Sequence, residues 1–345
     1  MTLKPLISVN LLLFKPGVFL EPCLESIVAQ NYQNFELLII DNASGDGTEQ
    51  AVQDFFIKNS QFRQWRVIVS ERNLGFAGGH NLGIKESRGE LIAAVNQDVI
   101  LSPDFLTNIL AVFTDPQVGS AQGKLRRLKN LDGRFEKTGI IDSAGLVILK
   151  NRRIISRGQG KEDQGQFSET EEIFGVDGAL PVYRRDALED VKIFNGKENE
   201  YFDEDFFAYK EDVDLAWRLR LLGWRAFFVP SSIAWHARTS GDSAETGYLN
   251  ILQERRKINA LAKRLSFRNQ RLMQIKNEQL GLLLCHFFYF LPKEIAAWAY
   301  VLFFEPASRP AIGGLIKKLP AAWRKRREIM RQRKATFNQM AKWFV

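Results

Sequence analysis

Between Ile7 and Asp98 the chain alternates short apolar runs with helix-spaced segments, and that alternation leaves few folds open. Ile7 to Phe14 is apolar except for Ser8 and Asn10. Phe35 to Ile40 is apolar and ends at Asp41, Trp65 to Val69 is strand-like, and Leu91 to Val95 runs into Asn96-Gln97-Asp98. Leu20 to Gln30, Gln50 to Lys58 and Gly79 to Lys85 carry helical spacing between them. Near-continuous apolar strands separated by helices predict a parallel sheet covered on both faces. Such sheets bind ligands beyond the carboxyl ends of their strands, so polar residues at those ends are the first candidates for function.

Three strand ends qualify. Asp41 opens the loop Asp41-Asn42-Ala43-Ser44-Gly45-Asp46-Gly47-Thr48, in which the acid can accept a hydrogen bond from a base or ribose and the glycines permit tight turns. Asn73-Leu74-Gly75-Phe76-Ala77-Gly78-Gly79-His80-Asn81 reads as a second, glycine-rich loop, with Asn81 beginning the next helix. It lacks the Lys-Ser/Thr ending of a P-loop and the spacing of a dinucleotide fingerprint. At the third strand end, Asp98 is placed to bind a divalent cation, which prefers oxygen ligands and bridges to phosphate. His236, in Trp235-His236-Ala237-Arg238, is one of three histidines and a candidate second ligand if it lies beside Asp98. Each of these residues also has a purely structural reading as a cap, a turn or a packed side chain.

A further acid cluster stands in FFAYKEDVDLAWRLRLLG, from Phe206 to Gly223, where Glu211, Asp212 and Asp214 crowd the start of an apolar-periodic helix. The helix dipole favours negative charge there, so capping alone accounts for such a start. Between Val118 and Val176 the text reads as a mixed insert beside the first sheet, with short strands such as Gly145 to Leu149 and no long helix. Arg185 to Asp190 begins a short helix, and after Ser243 the chain turns helical.

Taken in order, these segments resemble family 2 glycosyltransferases of the GT-A fold, especially bacterial rhamnosyltransferase-like members. The resemblance lies in ISVNLLLF, CLESIVAQNYQNFELLIIDNASGDGT, ERNLGFAGGHNLGI, AAVNQDV and FDEDFFAYKEDVDLAWRLRLLGW, and covers the first two-thirds to three-quarters of the chain. It implies a Rossmann-like mixed sheet flanked by helices, with a nucleotide-sugar-binding half at 1–105, an acceptor-binding and catalytic half at 106–245, and a helical, membrane-associating region at 246–345. It implies nucleotide-sugar contacts from Phe14, Asp41, Asn73, Gly75, Ala77, Asn81 and Asn96, with Asp41 recognising the base. Asp98 and His236 would hold Mg²⁺ or Mn²⁺, Asp212 would be the catalytic base, and Glu211 would aid acceptor placement. Two positions depart from the family pattern. The usual Thr/Asn-Tyr-Asn after the first strand is Leu13-Phe14-Lys15, which leaves main-chain contacts to the base open, and the first acid of Asp-x-Asp is Asn96. The implied activity is inverting transfer of a sugar, rhamnose favoured, from dTDP-rhamnose or a UDP-sugar to a glycan or lipid-linked acceptor in cell-surface polysaccharide synthesis. The competing reading within this resemblance is a non-catalytic carbohydrate-binding or scaffold relative.

The formal charge of +8 on 345 residues points to an anionic partner, and Lys317, Lys318, Arg324, Lys325, Arg326, Arg327, Arg331, Arg333 and Lys334 carry much of it. With Ile312, Leu315, Ile316, Leu319, Trp323 and Ile329 they read as a basic helix on an anionic membrane surface. Leu280 to Leu291 and Ile295 to Phe304 are apolar runs, each too short to span a bilayer, with Pro292-Lys293-Glu294 between them, and predict an interfacial pair. A packed helical bundle or dimer interface is the alternative. Nucleic-acid binding explains only the basic tail and is not expected. Cys23 and Cys285 are far apart and predict no disulfide, and the N-terminus reads as a strand without a signal peptide. A cytoplasmic protein, peripheral on the inner face of the cell membrane, is the expectation.

Overall fold

The computed structural model describes residues 4–238, 253–256 and 258–345. The expected boundary at 245 and the expected start of helix after Ser243 lie outside these residues. Four strands, β1 (Ile7–Leu13), β2 (Phe35–Asp41), β3 (Trp65–Val69) and β4 (Leu91–Asn96), alternate with α1 (Leu20–Val28), α2 (Thr48–Lys58) and α3 (Gly75–Glu86). β1 pairs in parallel with β2 and β4, and β2 with β3, so the carboxyl ends at Asp41 and Asn96 lie along one edge. β1 and β2 are buried along almost their whole length, as parallel strands covered on both faces must be.

The chain continues through β5 (Val99–Leu101), α4 (Phe105–Ile109) and a long hairpin of β6 (Val118–Leu131) and β7 (Arg134–Ser143). Then come β8 (Leu146–Ile148), β9 (Ile154–Ser156), β10 (Glu171–Glu172), β11 (Pro181–Arg184), α5 (Arg185–Val191), the short pair β12 (Ile193–Phe194) and β13 (Asn199–Glu200), α6 (Glu211–Leu221) and β14 (Arg225–His236). The main sheet runs β10-β14-β6-β11-β4-β1-β2-β3, with β5 on β14 and β7 on β6. β11 is antiparallel to β4 and β6, so the sheet is mixed, and both halves of the chain contribute to it. The insert holds the expected short strands, with β8 inside Gly145 to Leu149, and adds to them this long hairpin, whose pairing is fixed by its neighbours in the sheet.

Two expectations change. The glycine-rich segment is the first turn of α3 and not a loop, and Asn81 sits in mid-helix. Gly75 opens the helix at φ +72°, a conformation glycine adopts without penalty. The two C-terminal apolar runs are also not separate. After α7 (Ala260–Asn277) and α8 (Leu280–Cys285), α9 (Phe287–Ala299) runs into a π-helical turn at Tyr300–Phe304. Phe287–Phe304 thus forms one helix long and apolar enough, by length and composition, to cross a membrane, with a mean hydropathy of 1.3. Lys293 and Glu294 do not break it because they turn toward the protein, where Glu294 pairs with Arg271 at 2.8 Å and with Lys293 at 2.6 Å.

α10 (Pro310–Gln332) packs along α7, followed by α11 (Phe337–Ala341). Leu272, Met273, Leu315, Ala322 and Ile329 share one core with Val213, Leu215 and Trp217 of α6, which fastens the C-terminal helices to α6. The basic helix is not simply a solvated cationic face. Lys325 is buried against Glu200, Asp203 and Asp205, and Lys318 pairs with Asp205 at 2.5 Å. Cys23 and Cys285 are free thiols.

Candidate active site

At the end of β2, Asp41 is 4% exposed, and its Oδ1 accepts the Ser44 amide at 2.9 Å. The Asp41–Thr48 loop, with Val69 and Ser70, lines a concavity of about 490 Å³. The loop is tied to α3 by Asn42, a residue the sequence reading passed over. Its Nδ2 donates to Gly75 O at 3.0 Å and Asn73 Oδ1 at 3.2 Å, while its Oδ1 accepts the Leu74 amide at 2.8 Å. Asn73 in turn accepts the Gly75 amide at 2.8 Å. Ala77 donates its amide to Phe207 O at 3.2 Å, so the first turn of α3 abuts the segment that leads into α6.

Phe14 ends β1 with its ring 41% exposed. Its main-chain groups are already taken: the amide donates to Gln97 Oε1 at 2.7 Å, and the carbonyl accepts from Gln97 Nε2 at 3.2 Å. The main-chain contacts left open by the sequence are therefore occupied, and what Phe14 offers is its ring. Asn81 lies inside the protein. Its amide donates to Phe202 O and Glu204 Oε1 and accepts from the Tyr201 and Phe202 amides, which staples α3 to the 201–204 segment.

Asp98 and His236 meet because β5 pairs antiparallel with β14, bringing Val99 opposite His236. His236 Nε2 lies 3.5 Å from Asp98 Oδ1, and its Nδ1 lies 2.8 Å from Asp142 Oδ2. Burial pulls the imidazole toward neutrality, but the two flanking carboxylates outweigh it and push its pKa up to about 10. Burial likewise opposes charge on Asp98 and Asp142, yet His236, with Arg238 on Asp142, holds both below the usual carboxylate range. The pair fits a hard divalent cation: bonds of about 2.0–2.2 Å reach both atoms, and with Asp142 on Nδ1 the proton a cation would displace is the one on Nε2. Among the described residues no third His, Cys, Asp or Glu completes a ligand set. Asn96, two residues before Asp98, donates its amide to Ala179 O at 3.1 Å, joining β4 to the 177–179 turn.

Asp212 is half-buried in the first turn of α6. Its Oδ2 accepts the Gly178 amide at 3.1 Å and its Oδ1 the Val213 amide at 2.8 Å. Burial, then the neighbouring Asp177, lift its pKa to about 6, against the pull of Lys210 and the two amides. A carboxylate at that value is ionised at neutral pH and is a stronger proton acceptor than an ordinary aspartate. Glu211 is buried at 5% exposure, and burial, then Asp212, push its carboxyl well above the usual range. Asp214 faces inward to Arg218 at 3.0 Å, Lys276 at 2.8 Å and Asn277 at 2.8 Å.

The structure also connects Asp98 to Asp212 through three residues the sequence reading did not single out. Arg238 bonds Asp142 Oδ1 at 2.6 Å and reaches Asp177 Oδ2 at 3.4 Å, and the residue after Asp177 carries the amide that holds Asp212. Ser156 Oγ also donates to Asp177, at 3.2 Å. A continuous polar path thus runs Asp98, His236, Asp142, Arg238, Asp177, Gly178, Asp212. The sequence marks them only weakly: Asp142 lies one residue before the end of β7, Asp177 precedes Gly178, and Arg238 stands two residues after His236.

Residues 15–192 match Glycosyl transferase family 2, which is more than half of the chain. Glycosyltransferase GlyG of Streptococcus pneumoniae is 23% identical over 254 residues, 71% of this chain and 75% of that protein. Poly-beta-1,6-N-acetyl-D-glucosamine synthase of Staphylococcus epidermidis is 25% identical over 230 residues, 66% of this chain and 49% of that protein. The chain spans about half the length of that synthase, and about a quarter of the uncharacterized protein y4gI of Sinorhizobium fredii, to which it is 25% identical. Among solved structures, GalNAc-T7 with UDP, GalNAc and Mn²⁺ superposes with a TM-score of 0.62 at 13% identity, over 93% of this chain and 57% of that one. The mixed sheet flanked by helices, with its helical C-terminal region, is the GT-A architecture that the family resemblance implied, and the chain belongs to glycosyl transferase family 2.

Proposed function

We propose that this protein is an inverting glycosyltransferase that moves a sugar from a nucleoside-diphosphate donor to a glycan or lipid-linked acceptor. The observation that carries the reading is the polar path from Asp98 to Asp212, which puts a cation-binding pair and a proton acceptor near neutrality into one connected site. The Asp212 carboxylate takes the acceptor hydroxyl proton as that oxygen bonds the anomeric carbon and the bond to the diphosphate breaks on the opposite face. Asp98 and His236 Nε2 would hold Mg²⁺ or Mn²⁺, which supplies positive charge against the departing diphosphate. The Asp41 loop and Asn73–Ala77 bind the nucleoside, with Phe14 contributing its ring. Glu211, buried inside the helix start beside Asp212, aids acceptor placement by shaping the base's surroundings. The Mn²⁺ named with GalNAc-T7 supports the cation reading.

Rhamnose from a thymidine diphosphate donor is the favoured sugar, with UDP- and GDP-sugars as competitors. The test is a panel of these donors with Mg²⁺ or Mn²⁺, scored for nucleoside diphosphate release in the presence of acceptor. One donor should turn over and chelation should abolish the signal. Failure of every donor in the presence of both cations and acceptor extract would favour the non-catalytic reading.

The exposed face of Phe287–Phe304 supports a seat on a membrane. Phe288, Tyr289, Ile295, Phe303 and Phe304 are each more than half exposed, while Lys317, Arg327, Arg331 and Arg333 are exposed on or just after α10. The buried Arg271–Glu294 pair ties α9 to the body, so the helix lies in the interface and does not leave the protein to span. Vesicles containing phosphatidylglycerol should sediment the protein, and replacing Phe288, Phe303 and Phe304 together by Ser should weaken binding at least about tenfold, since each buried aromatic contributes roughly 1.5–3 kcal/mol. Unchanged sedimentation of that variant would remove the membrane seat from the proposal.

A further inference from the structure

Between the turn at Glu204–Phe206 and the first residue of α6, the backbone follows a path side chains rarely adopt. Phe207, Tyr209 and Lys210 have φ of +65°, +71° and +78°. Such a path persists only where its surroundings over-determine it. On the nucleotide side, Phe207 O accepts the Ala77 amide, and a Cβ at Gly75 would collide with that same carbonyl.

The other side is held by α7. Asn269 is 0% exposed, and its Nδ2 donates to Phe206 O at 2.9 Å, Ala208 O at 2.9 Å and Tyr209 O at 2.8 Å. Three carbonyls converging on one group demand a donor, and the carboxamide can face them only one way. Its Oδ1 is taken by Arg268 Nε at 3.0 Å, which fixes the NH₂ toward the turn. Arg268 adds its own bonds to Asp205 O at 2.8 Å and Phe206 O at 3.2 Å. The held turn ends at Lys210, which precedes α6 without any side-chain cap, and Asp212 follows two residues later. The Gly178 amide holds the carboxylate of Asp212 from the sheet side, and the latched turn sets the start of the helix that carries it. Arg271, two residues further along α7, carries the pair to Glu294 of the apolar helix.

We propose that Asn269 is a positioning residue for sugar transfer: it latches the Phe206–Lys210 turn and thereby fixes Asp212 against the nucleotide-side Gly75–Ala77 segment. The inference rests on Asp212 as the base and extends the working site into the C-terminal helices.

Asn269→Ala, Asn269→Asp (which keeps the shape but loses the donor) and the half-buried Arg268→Ala test it, with Gln270→Ala as control. Gln270 is buried next door but donates to Arg152 O at 2.8 Å, away from the turn. A misplaced base costs on the order of 10- to 100-fold in rate, so kcat should fall by about that factor in both Asn269 variants, and less in Arg268→Ala. KM for the donor should stay within about threefold, as expected when binding is spared. Hydrogen exchange at the 206–211 amides should quicken by about tenfold or more, with β1 and β2 unchanged. Gln270→Ala should do neither. Exchange of 206–211 at the wild-type rate, or kcat per folded enzyme within about twofold of wild type, overturns the proposal, as does an equal kcat loss in Gln270→Ala. If the wild-type enzyme turns over no donor, the function reading fails, and the exchange rates alone decide the latch.

Discussion

Asp212→Asn is expected to lower turnover by about 10³-fold while leaving nucleoside diphosphate affinity and the melting temperature close to wild type, because general-base catalysis of this kind contributes roughly 10²–10⁴-fold. The amide keeps the shape and its one carbonyl oxygen can keep one of the two bonds, to the Gly178 or the Val213 amide, but it cannot take the acceptor proton. The wild-type pH profile carries the same signature. Only ionised Asp212 accepts a proton, so the rate should fall as pH drops through about 6, the value to which burial and Asp177 lift this carboxyl. Asp177→Asn removes the neighbouring negative charge and should move that midpoint to lower pH. Wild-type turnover in a folded Asp212→Asn protein would remove Asp212 from the mechanism. An acid limb unmoved in Asp177→Asn would leave the base but discard its tuning.

The first half of the sheet was legible because each signal there is local. Apolar runs of strand length, helical spacing and polar residues after the ends of β2, β3 and β4 are properties of a few consecutive residues, and β1 to β4 follow them closely. The Asp98–His236 meeting was readable only as a pairing of types, since β5 and β14 are joined by sheet register and not by sequence distance. Asp142, Asp177 and Arg238 escaped notice for the same reason: each sits in the insert or beyond it, where no periodicity marks them, and their meaning appears only when β6, β7 and β14 align. Composition misled in one place. The glycines of Asn73–Asn81 suggested a loop, but close contacts with Phe207, Leu74 and Leu12 leave no room for a Cβ at Gly75, Gly78 and Gly79, so these glycines serve a tightly packed helix. The cationic tail pointed to a membrane face, and acids at 200–205 take up part of that charge internally.

That internal matching makes Lys325 the side chain whose loss should cost the most stability. It is 1% exposed and bonds Glu200 Oε1 at 2.7 Å, Asp203 Oδ1 at 2.6 Å and Asp205 Oδ2 at 3.0 Å, while Lys276 pairs with the other oxygen of Asp203. Lys325→Met keeps most of the volume but leaves buried carboxylates facing one another, and breaking such a network costs about 3–5 kcal/mol. The pH dependence separates this cause from lost packing. In the wild type, burial opposes charge on Asp203, but Lys276 and Lys325 hold its carboxyl well below the ordinary range. A depressed folded-state pKa gives stability that is full above about 3.9, the unfolded value, and is lost as pH falls below it. Without Lys325 the carboxylates become harder to ionise, so their folded-state pKa values rise and the variant's deficit should be largest at neutral pH and shrink on acidification. Denaturant titrations of both proteins from neutral pH down to pH 5 should show the two stabilities converging. A deficit of the same size at every pH would assign the loss to packing instead of charge.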